Sequence, residues 1–155
     1  MKGKQGAIFT LIDGKGAYLF QHRTADAPQY PNQWGFFGGR VEDNESPEKA
    51  VWREAIEELN LPKHQLTELH LLGRFPIHEN AETITFSFFI APLLISAEHL
   101  DNEQREGQGW GFFSAQQWRE LNHVEHDHVF MKALRAATED GCLRQISERA
   151  RSVHD

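Results

Sequence analysis

The chain has 155 residues, 39% of them hydrophobic and 25% charged; that length fits one domain, and 11 Phe and 4 Trp are too many aromatics for a disordered chain. Sixteen Lys and Arg against 23 Asp and Glu leave a net charge of −7, which excludes a global basic field for gathering duplex nucleic acid or anionic lipid by counterion release. The single cysteine, Cys142, excludes an internal disulfide and a Cys-rich zinc site. The Met-Lys-Gly-Lys-Gln start lacks the apolar segment of a signal peptide, and no apolar run approaches the roughly 20 residues of a membrane span, so the expectation is a cytoplasmic protein.

Residues 6–12 and 16–22 are apolar-rich and separated by Asp13-Gly14-Lys15, which predicts a strand hairpin. Residues 24–33 carry Asp26, Pro28, Pro31 and Asn32, which favour turns and deny a helix its donors, so a loop is expected there. Trp34 to Phe37 form a short apolar piece stopped by Gly38 and Gly39, with Trp34 packing beneath the glycine turn. A helix is predicted over 46–59, with Ser46 at the N-cap, Pro47 at the first helical position, Asn60 in the left-handed C-cap conformation and Pro62 just beyond. Residues 66–77 read as a strand broken at Gly73 and 82–95 as a long strand, bracketing a polar tip at 78–81. A polar loop at 101–109 leads into Trp110-Gly111-Phe112-Phe113, a short helix from Ser114 and a last helix over 127–138. The residues after Gly141 read as a polar, loosely packed tail. Strands before, between and after helices give a mixed α/β layering in one domain over 1–140, followed by the tail at 141–155.

The helix over 46–59 carries the chemistry. At about 100° per residue, Val51, Trp52, Ala55, Ile56 and Leu59 fall on one arc, read as the core face, and Glu54, Glu57 and Glu58 on the opposite part. Like charges three and four residues apart weaken a helix by a few tenths of a kcal/mol per pair, roughly, so something should offset them. Either a solvated acidic face or a divalent-cation site does so; Mg²⁺ takes carboxylates, waters and substrate phosphate oxygens, and carboxylates one helical turn apart provide the first of these.

The segment from Gly39 to Leu61, GRVEDNESPEKAVWREAIEELNL, resembles the Nudix box through Gly39, Glu45, Arg53, Glu54, Ala55, Glu57, Glu58 and Leu61. It departs from that signature at Asn60, where the family usually has Gly; both residues tolerate a left-handed cap, so the chemistry is expected to survive. The resemblance implies an α/β/α sandwich with a mixed β-sheet. The implied activity is hydrolysis of a diphosphate linkage in a nucleoside diphosphate joined to another group, by water attack at phosphorus. It implies Mg²⁺, or Mn²⁺, held by Glu57, Glu58, Glu54 and the Gly38 carbonyl. An anionic diphosphate entering a net-negative protein needs such a cation to neutralise charge and lower the pKa of a bound water. Arg53 is expected to orient Glu54 or Glu45, with Glu45 a structural partner. The base is Glu54 or a later loop residue, Glu106, which is also a candidate metal contact; Glu98, Asp101 and Glu103 read as solvated loop charges.

Substrate contacts are expected from Arg23 and Arg74 at phosphate and from Tyr30, Phe75 and His78, with Trp110, along the cleft. The substrate classes implied are modified or ordinary nucleoside triphosphates, nucleotide sugars and ADP-ribose. The partner is a small nucleotide, with no nucleic acid duplex and no membrane, and a homodimer is compatible with the sequence. The alternative is a Nudix-fold sensor that binds a nucleotide without turnover. The cluster His123, Glu125, His126, Asp127 and His128 reads as a helix start capped by Asp127 rather than as a zinc site.

Overall fold

Strand β1 (Lys4–Ile12) is apolar along almost its whole length, which is the pattern of a strand covered on both faces. In the computed structural model, which describes residues 4–96, 99–100 and 109–154, this alternation feeds two separate cores. Ala7, Phe9 and Leu11 point into one, and Ile8 and Ile12 into the other. Strand β6 (Glu82–Pro92) does the same, with Phe89 and Ala91 on the first side and Phe88 and Ile90 on the second. The two strands run parallel, from Lys4 beside Ile84 to Ile12 beside Pro92. Strand β5 (His70–Glu79) flanks β6 antiparallel, with a register shift between Leu71 and Gly73 at the predicted break. The β5–β6 turn is tighter than expected, at Asn80 and Ala81, both with positive φ.

On its other edge β1 forks. Gly6 to Phe9 pair antiparallel with β4 (Phe37–Arg40), while at the far end Ile12 pairs with Tyr18 of β2 (Tyr18–His22). The predicted β1–β2 hairpin therefore exists but hardly forms a ladder; its connection runs through Gly16, at φ 86°, and is organised by Asp13, whose Oδ1 accepts from the Lys15 and Ala17 amides at 2.9 Å. Where the strands part, buried Thr10 donates its hydroxyl to the Leu19 carbonyl at 2.8 Å. Beyond the fork β2 pairs with β3 (Trp34–Gly35) and with β7 (Gly109–Phe113), completing a seven-stranded mixed sheet.

Helix α1 (Pro47–Leu59) covers the first core and α3 (His128–Glu139) the second, giving the α/β/α sandwich expected. The caps of α1 match the sequence: Ser46 Oγ accepts from the Lys49 amide at 3.2 Å, and Asn60 closes the helix at φ 50°, ψ 41°. Helix α2 (Ala115–Glu120) starts with a capping box between Ser114 and Gln117 and buries Trp118 completely. Two expectations are corrected. The residues after Gly141 form no loose tail but helix α4 (Cys142–His154), which sends Leu143 and Ile146 into the second core and Ala150 into the first. Ser147 Oγ and the Arg151 guanidinium tie it to the carbonyls of Asp13 and Gly14, each at 2.8 Å. Its buried face, Leu143, Ile146, Ser147 and Ala150, holds only two large apolar residues in an otherwise polar segment. Helix α1 is also rotated from the expected pose: Ala50, Val51, Ala55 and Leu59 are buried, but so is Glu58, while Trp52 and Ile56 are 47% and 45% exposed. Among the described residues no helix is long and apolar enough to cross a membrane.

Candidate functional site

The rotation of α1 decides where its carboxylates go. At about 100° per residue the buried arc runs from Ala50 to Leu59 and has Glu58 near its middle and Glu54 within it. Glu58 is 5% exposed and the Glu54 side chain 13%, whereas Glu57 keeps 53% at the rim. Glu54 meets the sheet at β4. A Cβ on Gly39 would lie 2.6 Å from Glu54 Oε1, so the carboxylate rests directly over that residue. Gly38 is fixed by a different contact: at φ 144°, its Cβ would fall 2.2 Å from the Ala7 carbonyl oxygen. Only glycine lets β4 pair with β1 this closely at Gly38 and leaves room for the Glu54 carboxylate over Gly39.

Arg53 fastens the helix to that strand. Its guanidinium makes a two-pronged bond to Glu45, Nε to Oε2 at 2.9 Å and an Nη to Oε1 at 3.1 Å, and donates to the Arg40 carbonyl at 2.9 Å. The other Nη reaches Glu54 at 3.0 Å and Glu57 at 3.5 Å. The helix, the preceding loop and β4 are thus locked together through one cation. The bond from Arg53 holds the Glu45 carboxyl below its usual range, and Glu45 raises Arg53 further above its own. The geometry gives Arg53 both of its expected contacts, with Glu45 as its anchor.

A cleft of about 460 Å³ opens beside Gly38 and Gly39 and runs between Arg40, Glu79 and Glu82 on one side and Arg23, Tyr30, His126 and Asp127 on the other, over Phe86 and Phe130. Arg23 is held by its Nε donating to the Gln29 carbonyl at 2.8 Å, and Tyr30 hydroxyl lies 3.2 Å from His126 Nδ1. Burial lowers the His126 pKa, favouring a neutral ring. Asp127 is 4% exposed; burial pushes its carboxyl up to about 8 against the opposing pull of the Phe36 amide, which donates to it at 3.3 Å, and of the Arg23 charge.

A family model described as NUDIX domain matches residues 2–134. The chain belongs to the Nudix family. Among curated relatives, an 8-oxo-dGTP diphosphatase of Proteus vulgaris is 43% identical over 58 residues, 37% of this chain and 48% of that protein. The nucleoside triphosphatase NudI of an Escherichia coli O139:H28 strain is 45% identical over 52 residues, 34% of this chain and 37% of that protein. The chain thus matches less than half the length of these curated relatives. Solved structures carry the fold over much more of it: a MutT protein from Methanosarcina mazei has a TM-score of 0.68 at 16% identity, covering 89% of this chain and 98% of that one. A mutT/nudix family protein from Listeria innocua has 0.64 at 23% identity, covering 92% and 99%.

Within this Nudix fold the expected site residues separate into two groups. Arg53, Glu54 and Glu57 are bonded together at the α1–β4 junction over Gly39, Glu58 is buried one turn on from Glu54, and Gly38, Arg23 and Tyr30 line the adjoining cleft. Arg74, Phe75 and His78 do not line it. They lie on β5, where Arg74 is exposed, Phe75 packs edge-on against Phe130 at 5.7 Å, and His78 bonds the Thr83 hydroxyl at 2.6 Å across the β5–β6 ladder. Trp110 packs partly buried against the first core, and Trp34 stacks on His22 at 4.5 Å. Glu106, Glu98, Asp101 and Glu103 lie outside the described residues. Sequence reasoning missed His126 and Asp127 as cleft residues. It gave Asp127 a capping role, but Asp127 makes no capping bond to α3, because its side chain turns inward to the Phe36 amide. Its only signal in the sequence was an acidic residue between histidines at a helix start.

Proposed function

We propose that this Nudix chain hydrolyses a phosphoanhydride bond in a nucleoside triphosphate, ordinary or base-modified, using Mg²⁺ or Mn²⁺. The observation that carries the reading is that Glu54 sits over Gly39, and Gly38 and Gly39 in turn line a cleft whose far wall is Tyr30, His126 and Asp127. The donor set is all oxygen and largely anionic, and two of its carboxylates are turned into the protein, which suits a hard cation. Glu54, Glu57, Glu58 and the Gly38 carbonyl would hold it. When bound, the cation offsets phosphate charge and acidifies a water.

The chain's own residues supply the rest. Arg53 keeps Glu54 over β4 and so fixes the carboxylate that receives a proton from the attacking water, unless Glu106 takes that role. Arg23, on the cleft wall, offers a cation to the phosphate chain, while Phe86, Tyr30 and His126 offer ring faces and edges to the base. The names of the curated relatives support triphosphates over nucleotide sugars and ADP-ribose. The deciding experiment is a phosphate-release screen across those classes with Mg²⁺, with Mn²⁺ and with chelator. Release from a triphosphate with either metal and none with chelator is expected. Nucleotide binding without release under any of the three conditions would instead make the chain a sensor module.

A further inference from the structure

The segment preceding α3 is attached to the sheet as a short extra strand. Trp34 donates its amide to the Asn122 carbonyl at 2.8 Å, and Val124 donates to the Trp34 carbonyl at 2.9 Å. In an extended segment neighbouring side chains leave on opposite faces. Val124 accordingly lines the cleft, while the His123 ring lies 3.9 Å from that of buried Trp118. One turn of 3₁₀-helix at Glu125–Asp127 then returns the chain so that His128 stands beside His123, their Nε2 atoms 2.9 Å apart. A carboxylate oxygen of Glu125 completes the group, with the ligand atoms of all three residues within 4.8 Å of one another.

The histidine geometry is specific. His123 Nδ1 lies 2.9 Å from the Leu121 carbonyl oxygen. A carbonyl only accepts, so Nδ1 carries the proton, and in the neutral ring the Nε2 lone pair faces His128. A backbone carbonyl that fixes the tautomer in this way is the usual support behind a metal-bound imidazole. Two nitrogens each about 2.0–2.1 Å from one ion and about 90° to 110° apart are separated by roughly 2.9–3.4 Å, a range that includes the spacing seen here. Glu125 and His128 are exposed, so an ion reaches the group from solvent.

We propose that His123, Glu125 and His128 form a second cation site, separate from the carboxylates of α1 and selective for a borderline divalent ion such as Zn²⁺ or Ni²⁺ over Mg²⁺. Two imidazoles and one carboxylate are the donor set of borderline ions, whereas Mg²⁺ takes oxygen. Such an ion would bind beside the line joining the two Nε2 atoms and replace the hydrogen bond between the rings, with the His128 proton moving to Nδ1 or to solvent. Its ligands flank the turn that sets His126 and Asp127 in the cleft wall, so binding clamps that turn. The inference stands independently of the proposed hydrolysis.

The test uses the full chain, stripped with chelator and returned to buffer with millimolar Mg²⁺ to occupy the carboxylate site. Zn²⁺ is titrated by calorimetry, and Ni²⁺ by tryptophan fluorescence, because Trp118 touches His123 directly. Wild type should bind one Zn²⁺ that Mg²⁺ does not displace, and Ni²⁺ should quench part of the emission. His128→Gln, at an exposed position that leaves the fold intact, should weaken Zn²⁺ by more than about 100-fold and abolish the quenching, exceeding the effect of losing only a supporting group. Glu125→Gln should weaken Zn²⁺ less while keeping one ion per chain. Absence of Mg²⁺-resistant Zn²⁺ binding in wild type, or equal affinity and stoichiometry in wild type and His128→Gln, would overturn the proposal.

Discussion

The α1–β4 junction borders the cleft that the 123–130 segment walls, yet the two are built on opposite principles. The α1 site is local: Arg53, Glu54, Glu57 and Glu58 lie within two turns of one helix, and their mutual geometry follows from its pitch. The other wall is assembled from afar. Asp127 meets the Phe36 amide, Tyr30 meets His126, and the segment is held in place by Trp34. A site written into one helix is fixed by sequence spacing, whereas a site made across strands depends on how the sheet forks. Chemistry shared by a family fits the first kind of site, and recognition that varies fits the second.

The sharpest way to break the contrast is at the centre of the buried arc. Glu58→Gln keeps shape and removes a charge, and kcat should fall by more than about 100-fold, the upper end for a residue that only supports a metal ligand. The variant should fold, which circular dichroism checks. Activity near wild type at saturating Mg²⁺ would take Glu58 out of the site.

Arg53→Lys should have the next largest effect. Lysine cannot reproduce the two-pronged bond to Glu45 while also reaching Glu54 and the Arg40 carbonyl. A loss of roughly 10- to 100-fold in kcat is expected, with a raised Mg²⁺ requirement, since the residue positions carboxylates rather than reacting. A change in KM for nucleotide alone would place Arg53 in substrate binding instead.

Asp127 tests the other wall through pH. Its carboxyl is raised from 3.8 to about 8 in the folded chain, so between those values the native state holds a proton that the unfolded state has lost. Stability from this group is therefore complete below pH 3.8 and is lost as pH rises through 8. In buffer with chelator, the Tm of Asp127→Asn relative to wild type should rise from pH 5 to about 8 and level off above it. Parallel Tm curves would mean that the carboxyl is already ionised at the cleft wall.

The smallest effects are expected at the end of α1. Asn60→Gly should keep turnover within a few-fold and leave Tm nearly unchanged, because both residues accept the left-handed cap seen at φ 50°. Asn60→Val places a β-branched side chain there, at a cost of about 1–3 kcal/mol, and should lower Tm by several degrees. Equal melting of the two variants would show that the cap conformation contributes nothing.

The sequence by itself determined the α/β layering, both caps of α1, the glycines of β4 and the clustering of Arg53 with the three glutamates, because each depends on residues close in the chain and on backbone preferences. It misjudged which side of α1 faces inward, since Trp52 and Ile56 read as core and Glu58 did not. The sheet decided this: β4 passes beneath the helix at Gly39, where the Glu54 carboxylate is seated. Helix α4 escaped notice because its buried stripe gains meaning only against two preformed cores. The cluster from His123 to His128 was visible in the sequence, but the placement of His126 and Asp127 in the cleft wall was not. That placement arises from hydrogen bonds to Trp34 and Phe36, about 90 residues earlier in the chain, and no local pattern encodes a contact of that range.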